Sequence, residues 1–407
     1  MTAITLYFQV HQPHRLNRLG LADIGASPGY FDDGLDRLIL ERVAERCYLP
    51  MNQLLREAIE ESEGRFRCAF ALTGTVLDQL EAWAPEALRS FVDLTRTGCV
   101  EIVSETSHHS LACEGDMREF DRQVRAHRKR LTELFGTEPR TFRNTELIFD
   151  DEIARHVEDM GFEALLGEGA DQLLLGRSPR RVYRPGGCSS LELLLRDYRF
   201  SDDIAFRFSN VKWDCYPLMA DTFVSWLRRT APEDRFIGLY MDYETFGEHQ
   251  GPHTGIFDFM RCFVRFALEE PGLSFLTPIE VASENEPVEV LSVPTPISWA
   301  DAERDLSAWL SNPMQRAAHE ALYALLPDVL GTGDARLLAD WRRLTTSDHV
   351  YYMSTKHQSD GDVHEYFSPY DSPHDSFMVF MNVLDDLTLR VREKLAHSTT
   401  TEKEPQR

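Results

Sequence analysis

The chain has 407 residues, 43% hydrophobic and 11% aromatic, which is ample for a large buried core. Its formal net charge is −24, from 43 basic and 67 acidic residues, and no Lys/Arg block interrupts that background. Such a balance argues for a solvated surface and against nucleic acid or an anionic membrane as a partner.

The chain opens on MTAITLYFQVHQPH, which lacks a basic segment followed by an apolar one, so no signal peptide is expected. No apolar stretch approaches the roughly 18–20 residues that a membrane helix needs. The seven cysteines, Cys47, Cys68, Cys99, Cys113, Cys188, Cys215 and Cys262, form no CxxC pair. That excludes a zinc ribbon and suggests a reducing, cytoplasmic setting.

The first predicted strand, ITLYFQV (4–10), ends in His11-Gln12-Pro13-His14, a polar strand end that can donate hydrogen bonds to hydroxyl groups. The amphipathic run LDRLILERVAERCYLPMNQLLREAIEE follows, then the strands FRCAFALTG (66–74) and CVEIVSE (99–105). The latter carries Glu101 and Glu105 and leads to His108 and His109. Alternating Glu in a buried strand is costly unless the carboxylates are paired. The helix MREFDRQVRAHRKRLTELFG should stop at Gly136, a C-cap residue.

The run TFRNTELIF (141–149) reads as a strand containing Arg143 and Glu146. A neighbouring guanidinium favours the charged carboxylate, which suits a nucleophile, although an internal Arg–Glu ion pair has the same pattern. After EALLGEG (163–169) and LELLLRD (191–197) comes IGLYMDYETF (237–246), continuing into Gly247-Glu248-His249. Asp242 and Glu244 are two apart, so in an extended strand they share a face. There they can divide acid and base roles or bind a divalent ion. The last strand is SFLTP (274–278).

Strands alternating with helices imply βαβ units and a mainly parallel sheet, and seven or eight repeats favour a barrel. The polar, proline-containing stretch 282–296 reads as a boundary. Beyond it the spacing becomes helical, so the expected organisation is an α/β barrel over 1–285, a helical bundle over 286–396 and a disordered polar tail over 397–407. In a β/α barrel the active site lies at the C-terminal strand ends. Glycoside hydrolysis needs two carboxyl groups facing one bond, and Glu146 and Asp242 can supply them from two strand ends. Trp299 and Trp309 are candidates for stacking on sugar rings, or for core positions in the bundle.

Taken in order, these clusters resemble the signatures of glycoside hydrolase family 57. HQP resembles the first and GCVEIVSET with HHS the second. RNTELIF resembles the third, LYMDYETFGEH the fourth, and ISWADAERDLSAWLSNPMQ the fifth of an α-amylase-like branch. The resemblance implies an incomplete seven-stranded (β/α) barrel followed by a helical domain. It further implies Glu146 as nucleophile, Asp242 as general acid, retention of configuration, α-1,4-glucan substrates and no obligatory metal or other cofactor. It extends a substrate-binding role to Trp299, Asp301 and Trp309, with Asp305 in the same signature. His11, Gln12, Glu105, His108, Arg143, Glu244 and His249 would hold hydroxyls or tune the pair. The alternatives are a 4-α-glucanotransferase or branching enzyme, a metal-dependent polysaccharide deacetylase-like hydrolase using His108, His109 and Asp242, and a non-catalytic glucan-binding protein.

Overall fold

The computed structural model describes residues 1–26, 29–356 and 368–401. The chain divides into two compact units. The first comprises Met1–Gln12, Leu38–Ser107 and Val124–Trp299, the second Pro13–Arg37, His108–Gln123 and Ala300–Arg407.

The first unit is built on parallel strands β1 (Thr2–Val10), β2 (Cys68–Leu72), β3 (Val100–Ile102), β4 (Thr141–Arg143), β5 (Ala164–Glu168), β6 (Glu192–Arg196), β7 (Phe236–Asp242) and β8 (Leu273–Phe275). Seven of them run in the order β3-β2-β1-β7-β6-β5-β4, and β8 pairs with the start of β1. The two edges approach each other just past β3. The Ser104 N–H donates to Thr141 O at 3.0 Å, and the Arg143 N–H to Ser104 O at 2.9 Å. The sheet is thus nearly closed into a barrel surrounded by helices, which explains why β1, β2 and β5 read as continuous apolar runs rather than as alternating ones. Its inward layer combines small residues (Ala3, Ala69, Ala71, Ala164) with the large Tyr7 and Tyr240, whose rings meet edge-on at 5.6 Å.

All eight expected strands are present, but several stop early, two of them at the site. β4 ends at Arg143 and the chain turns into a 3-10 segment at Thr145–Leu147; β7 ends at Asp242, and Tyr243–Thr245 is again 3-10. The premise that Asp242 and Glu244 share one extended strand therefore fails. The helix Met117–Phe135 stops as expected, with Gly136 in the left-handed region at φ +75°. The long amphipathic run breaks at its centre: Asp33–Val43 and Leu49–Glu61 are joined by a π-turn at Ala44–Tyr48. Pro50 has no N–H to give Arg46 O, and the Leu49 N–H reaches Ala44 O instead.

The segment 286–299 belongs to the first unit. Val290–Leu291 pairs with Arg184–Pro185, and Ile297 bridges Phe149. In the second unit the helices Pro313–Ala324, Leu326–Thr332, Ala335–Leu344 and Pro373–Thr401 share a core around Trp341, joined by Leu16, Leu19 and Tyr30 from the N-terminal segment. Tyr30 Oη donates to Asp386 Oδ2 at 2.5 Å, and Arg342 makes two bonds to buried Glu119, at 2.6 and 3.2 Å. The last helix continues to Thr401, into the expected tail, and 402–407 lies outside the described residues. No described helix is long and apolar enough to cross a membrane.

Candidate active site

β1 and β7 are in register, with Tyr7 opposite Tyr240 and Gln9 opposite Asp242. Alternation along the strand turns Tyr7 and Gln9 to one face. A buried polar chain starts there. Tyr7 Oη donates to Gln9 Oε1, and Gln9 Nε2 donates to Glu105 Oε1 at 2.7 Å. The other oxygen of Glu105 lies 3.9 Å from Arg143 Nη1, and both side chains are fully buried. The Glu105 N–H donates to His127 Nδ1 at 3.1 Å, which leaves His127 Nε2 to donate to Leu72 O at 2.8 Å. Burial depresses the imidazole's proton affinity, so His127 is the neutral tautomer that both bonds require.

Glu146 stands just beyond β4 at φ +57°, ψ +25°, and Leu147 follows at φ +52°. Backbone of this hand is unfavourable for residues with a Cβ. It is maintained by Asn144, whose Nδ2 donates to Ile148 O at 3.0 Å across the turn. A second strap is the segment 297–299. Phe149 and Ile297 exchange N–H···O bonds of 3.1 Å, and the Trp299 N–H donates to Glu146 O at 3.1 Å. This strap carries the indole to the carboxylate: Trp299 Nε1 donates to Glu146 Oε2 at 2.6 Å. The Arg143 guanidinium lies over the indole at 4.7 Å and that of Arg196 at 5.7 Å. Arg196 is itself fixed by Asp202 at 2.6 Å, Glu168 at 3.3 Å and Tyr240 O at 2.8 Å.

Asp242 is half-buried at the end of β7. Glu244 is 5% exposed and accepts from Tyr48 Oη at 2.5 Å and Gln12 Nε2 at 3.4 Å. Burial first, and then the charge of Asp242, push the Glu244 carboxyl up to about 8. At neutral pH Glu244 is therefore held protonated. Tyr48 is braced by Tyr243, stacked at 6.1 Å. Glu248, from the same run, binds Arg42 at 2.7 Å and acts in the scaffold.

The first unit thus brings together Gln12 with Glu244, Glu105 with Arg143, and Glu146 with Trp299. His11 sits at the end of β1, 3.0 Å from Thr73 Oγ1, and His249 is half-buried, its N–H donating to Glu244 O at 2.9 Å. Glu101 has a different task from Glu105. It accepts from Thr141 Oγ1 at 2.5 Å and the Ile279 N–H at 2.9 Å, capping the helix Pro278–Glu284. The three remaining candidates lie in the second unit. The His108 N–H donates to Gln123 Oε1 at 3.4 Å, and Asp301 accepts from Lys356 Nζ at 3.3 Å. Trp309 is fully buried beside Tyr351, with no exposed face for a sugar ring, so the core reading applies to it. Among the described residues no three His, Cys, Asp or Glu side chains converge on one point that could hold a metal ion. Sequence reasoning missed Tyr7, Gln9, Tyr48, His127 and Arg196. Only Gln9, a polar residue on the face of β1 shared with Tyr7, carried a readable signal.

Comparison with known proteins is consistent over nearly the whole chain. Residues 5–294 match the family model described as Glycosyl hydrolase family 57. A Methanocaldococcus jannaschii protein named "Putative alpha-amylase" is 40% identical over 412 residues, covering 97% of this chain and 86% of that protein. Among solved structures, the 4-alpha-glucanotransferase of Thermococcus litoralis superposes with a TM-score of 0.70 at 14% identity, covering 95% of this chain and 60% of the other. A GH57 branching enzyme from Thermococcus kodakaraensis gives 0.71 at 14% identity, covering 99% and 92%.

Proposed function

Since the chain belongs to glycosyl hydrolase family 57 and is a glycoside hydrolase, we propose that it hydrolyses α-1,4-glucans with retention, Glu146 serving as nucleophile and Asp242 as acid/base. The observation that carries this reading is the conformation of Glu146: a buried carboxylate at a barrel strand end, on left-handed backbone, with one oxygen fixed by an indole N–H. Local strain of that kind persists where the surrounding structure enforces it, and it concentrates at reactive groups.

In the first half-reaction a Glu146 oxygen attacks the anomeric carbon. The bond from that carbon to the departing sugar oxygen breaks as Asp242 gives that oxygen its proton. In the second, water loses a proton to Asp242 and its oxygen attacks the same carbon, releasing Glu146. Glu244, protonated at neutral pH, places no negative charge of its own beside Asp242. Arg143 and Glu105, both fully buried, tune the carboxylates from behind the site, while His11 and His249 border the same strand ends, and Asp301 and His108 extend the candidate set. Substrate class and α-amylase-type outcome rest on the family and on the name of the 40%-identical relative.

Incubation with maltoheptaose, followed by chromatography and a reducing-end assay, tests the reading. Hydrolysis raises the number of reducing ends. A constant number with redistributed chain lengths would replace hydrolysis by 4-α-glucanotransfer. Near-wild-type turnover in Glu146→Gln or Asp242→Asn would overturn the residue assignment.

A further inference from the structure

The geometry of Trp299 departs from its expected use as a stacking ring. An aromatic ring that serves a sugar offers it a free face. Here the indole is half-buried, the Arg143 guanidinium lies 4.7 Å from its ring and Arg196 5.7 Å away. Its polar edge is engaged too, by the 2.6 Å bond from Nε1 to Glu146 Oε2. Its own N–H meets Glu146 O at 3.1 Å, so one residue grips both the backbone and the carboxylate of Glu146. We infer that Trp299 is a positioning residue that aims the Glu146 carboxylate, and that it is not a platform for a glucose ring. This rests on Glu146 being the nucleophile.

The reasoning is geometric. A carboxylate at the end of a flexible side chain has several rotamers, and attack needs one oxygen directed at carbon. A charge-assisted bond to the second oxygen selects one rotamer. The donor must be held in turn: the β-bridge of Ile297 with Phe149 fixes the backbone that carries Trp299, and the indole ring lies against Arg143, on the strand that leads into Glu146, and Arg196, itself anchored by Asp202 and Glu168.

Trp299→Phe keeps an aromatic ring for the two guanidinium groups and removes only the N–H donor. Its kcat on maltoheptaose should fall about 100-fold, the scale seen when one preorganised donor is lost, with KM within about two-fold of wild type. On α-maltosyl fluoride, whose leaving group needs no proton, kcat should fall by the same factor, because attack rather than protonation is impaired. Trp299→His, which returns a ring N–H, should recover part of the loss and serves as the probe if the Phe variant fails to fold. Maltoheptaose should bind Glu146→Gln and Glu146→Gln/Trp299→Phe with equal Kd by calorimetry. An unchanged kcat with KM and Kd raised about ten-fold would make Trp299 a sugar platform and overturn the inference. Failure of the underlying reading looks different, since Glu146→Gln would then stay active whatever stands at 299.

Discussion

Glu146 keeps a left-handed backbone that costs about 1–3 kcal/mol in a residue with a Cβ, and both the Asn144 bond across the turn and the 297–299 strap are aimed at it. Asp242 needs no such device, because its position follows from β7 and its register with Gln9. The two carboxylates should therefore fail differently. Asp242→Asn is expected to lose about 10²–10⁴-fold on maltooligosaccharides and to recover most of that with α-maltosyl fluoride, whereas Glu146→Gln should be inactive on both; steady-state kinetics with the two substrates decides. Glu244 makes a prediction about stability. Its carboxyl is raised from an ordinary value near 4.5 to about 8, by burial and then by Asp242. The associated stability is fully present below the unfolded value and is lost as pH rises toward about 8. Urea unfolding should show wild type weakening between pH 5 and 9 by a few kcal/mol, since each pH unit over which only the folded protein holds this proton is worth about 1.4 kcal/mol. Glu244→Gln should lack that part of the slope. Polar residues set against apolar runs marked the neighbourhoods of Glu146 and Asp242, but it was the family resemblance that chose Asp242 over Glu244 and a nucleophile over an ion pair for Glu146. Tyr48 was not legible, since its partner lies 196 residues away, and His127 was hidden in the charged run HRKR, which reads as a solvated helix face.

At the level of elements, strand and helix positions followed from period and punctuation, and Gly136 closes its helix where the pattern says it should. The strand ends were misread because local chemistry overrides an apolar run: the turn at Asn144 ends β4 while the sequence still looks extended. The π-turn at Ala44–Tyr48 has a similar origin in Pro50 and a consequence elsewhere. Arg46 O, left without its usual donor, faces Gly247, where a β-carbon would lie 2.0 Å from that oxygen and φ is +109°. Gly247 is therefore required twice, by its backbone angle and by the space it leaves. Gly247→Ala should destabilise by about 2 kcal/mol or more, on the scale of a strained backbone position, and lower the melting temperature in a calorimetric scan. Its activity loss should follow from the displaced segment carrying Glu244 and Glu248, with no change in which products form.

For the whole molecule, the alternating pattern was enough to announce a barrel and a helical second part, while the partition of the chain was not. Segments 13–37 and 108–123 leave the barrel sequence to join the second unit, and the first of them packs into a core completed by residues after 300. No local pattern reveals this, because Leu16, Leu19 and Tyr30 look like any short apolar positions near a strand. Removing everything after Trp299 should therefore yield no free-standing barrel. Leu16, Leu19 and Tyr30 would lose Trp341, Val383 and Leu387 as neighbours. The truncated protein should bind a hydrophobic dye strongly and elute as aggregate in size-exclusion chromatography.

The bond between Tyr30 and Asp386 joins residues 356 apart in sequence. A ribosome adding about 5–20 residues per second needs roughly 20–70 s to cover that distance. Throughout that interval the barrel strands can begin to pair, while an apolar N-terminal segment waits in the open for partners not yet made. The core of the second unit can therefore be completed only once its last helix has been made. The early segments are where a chaperone would find the nascent chain.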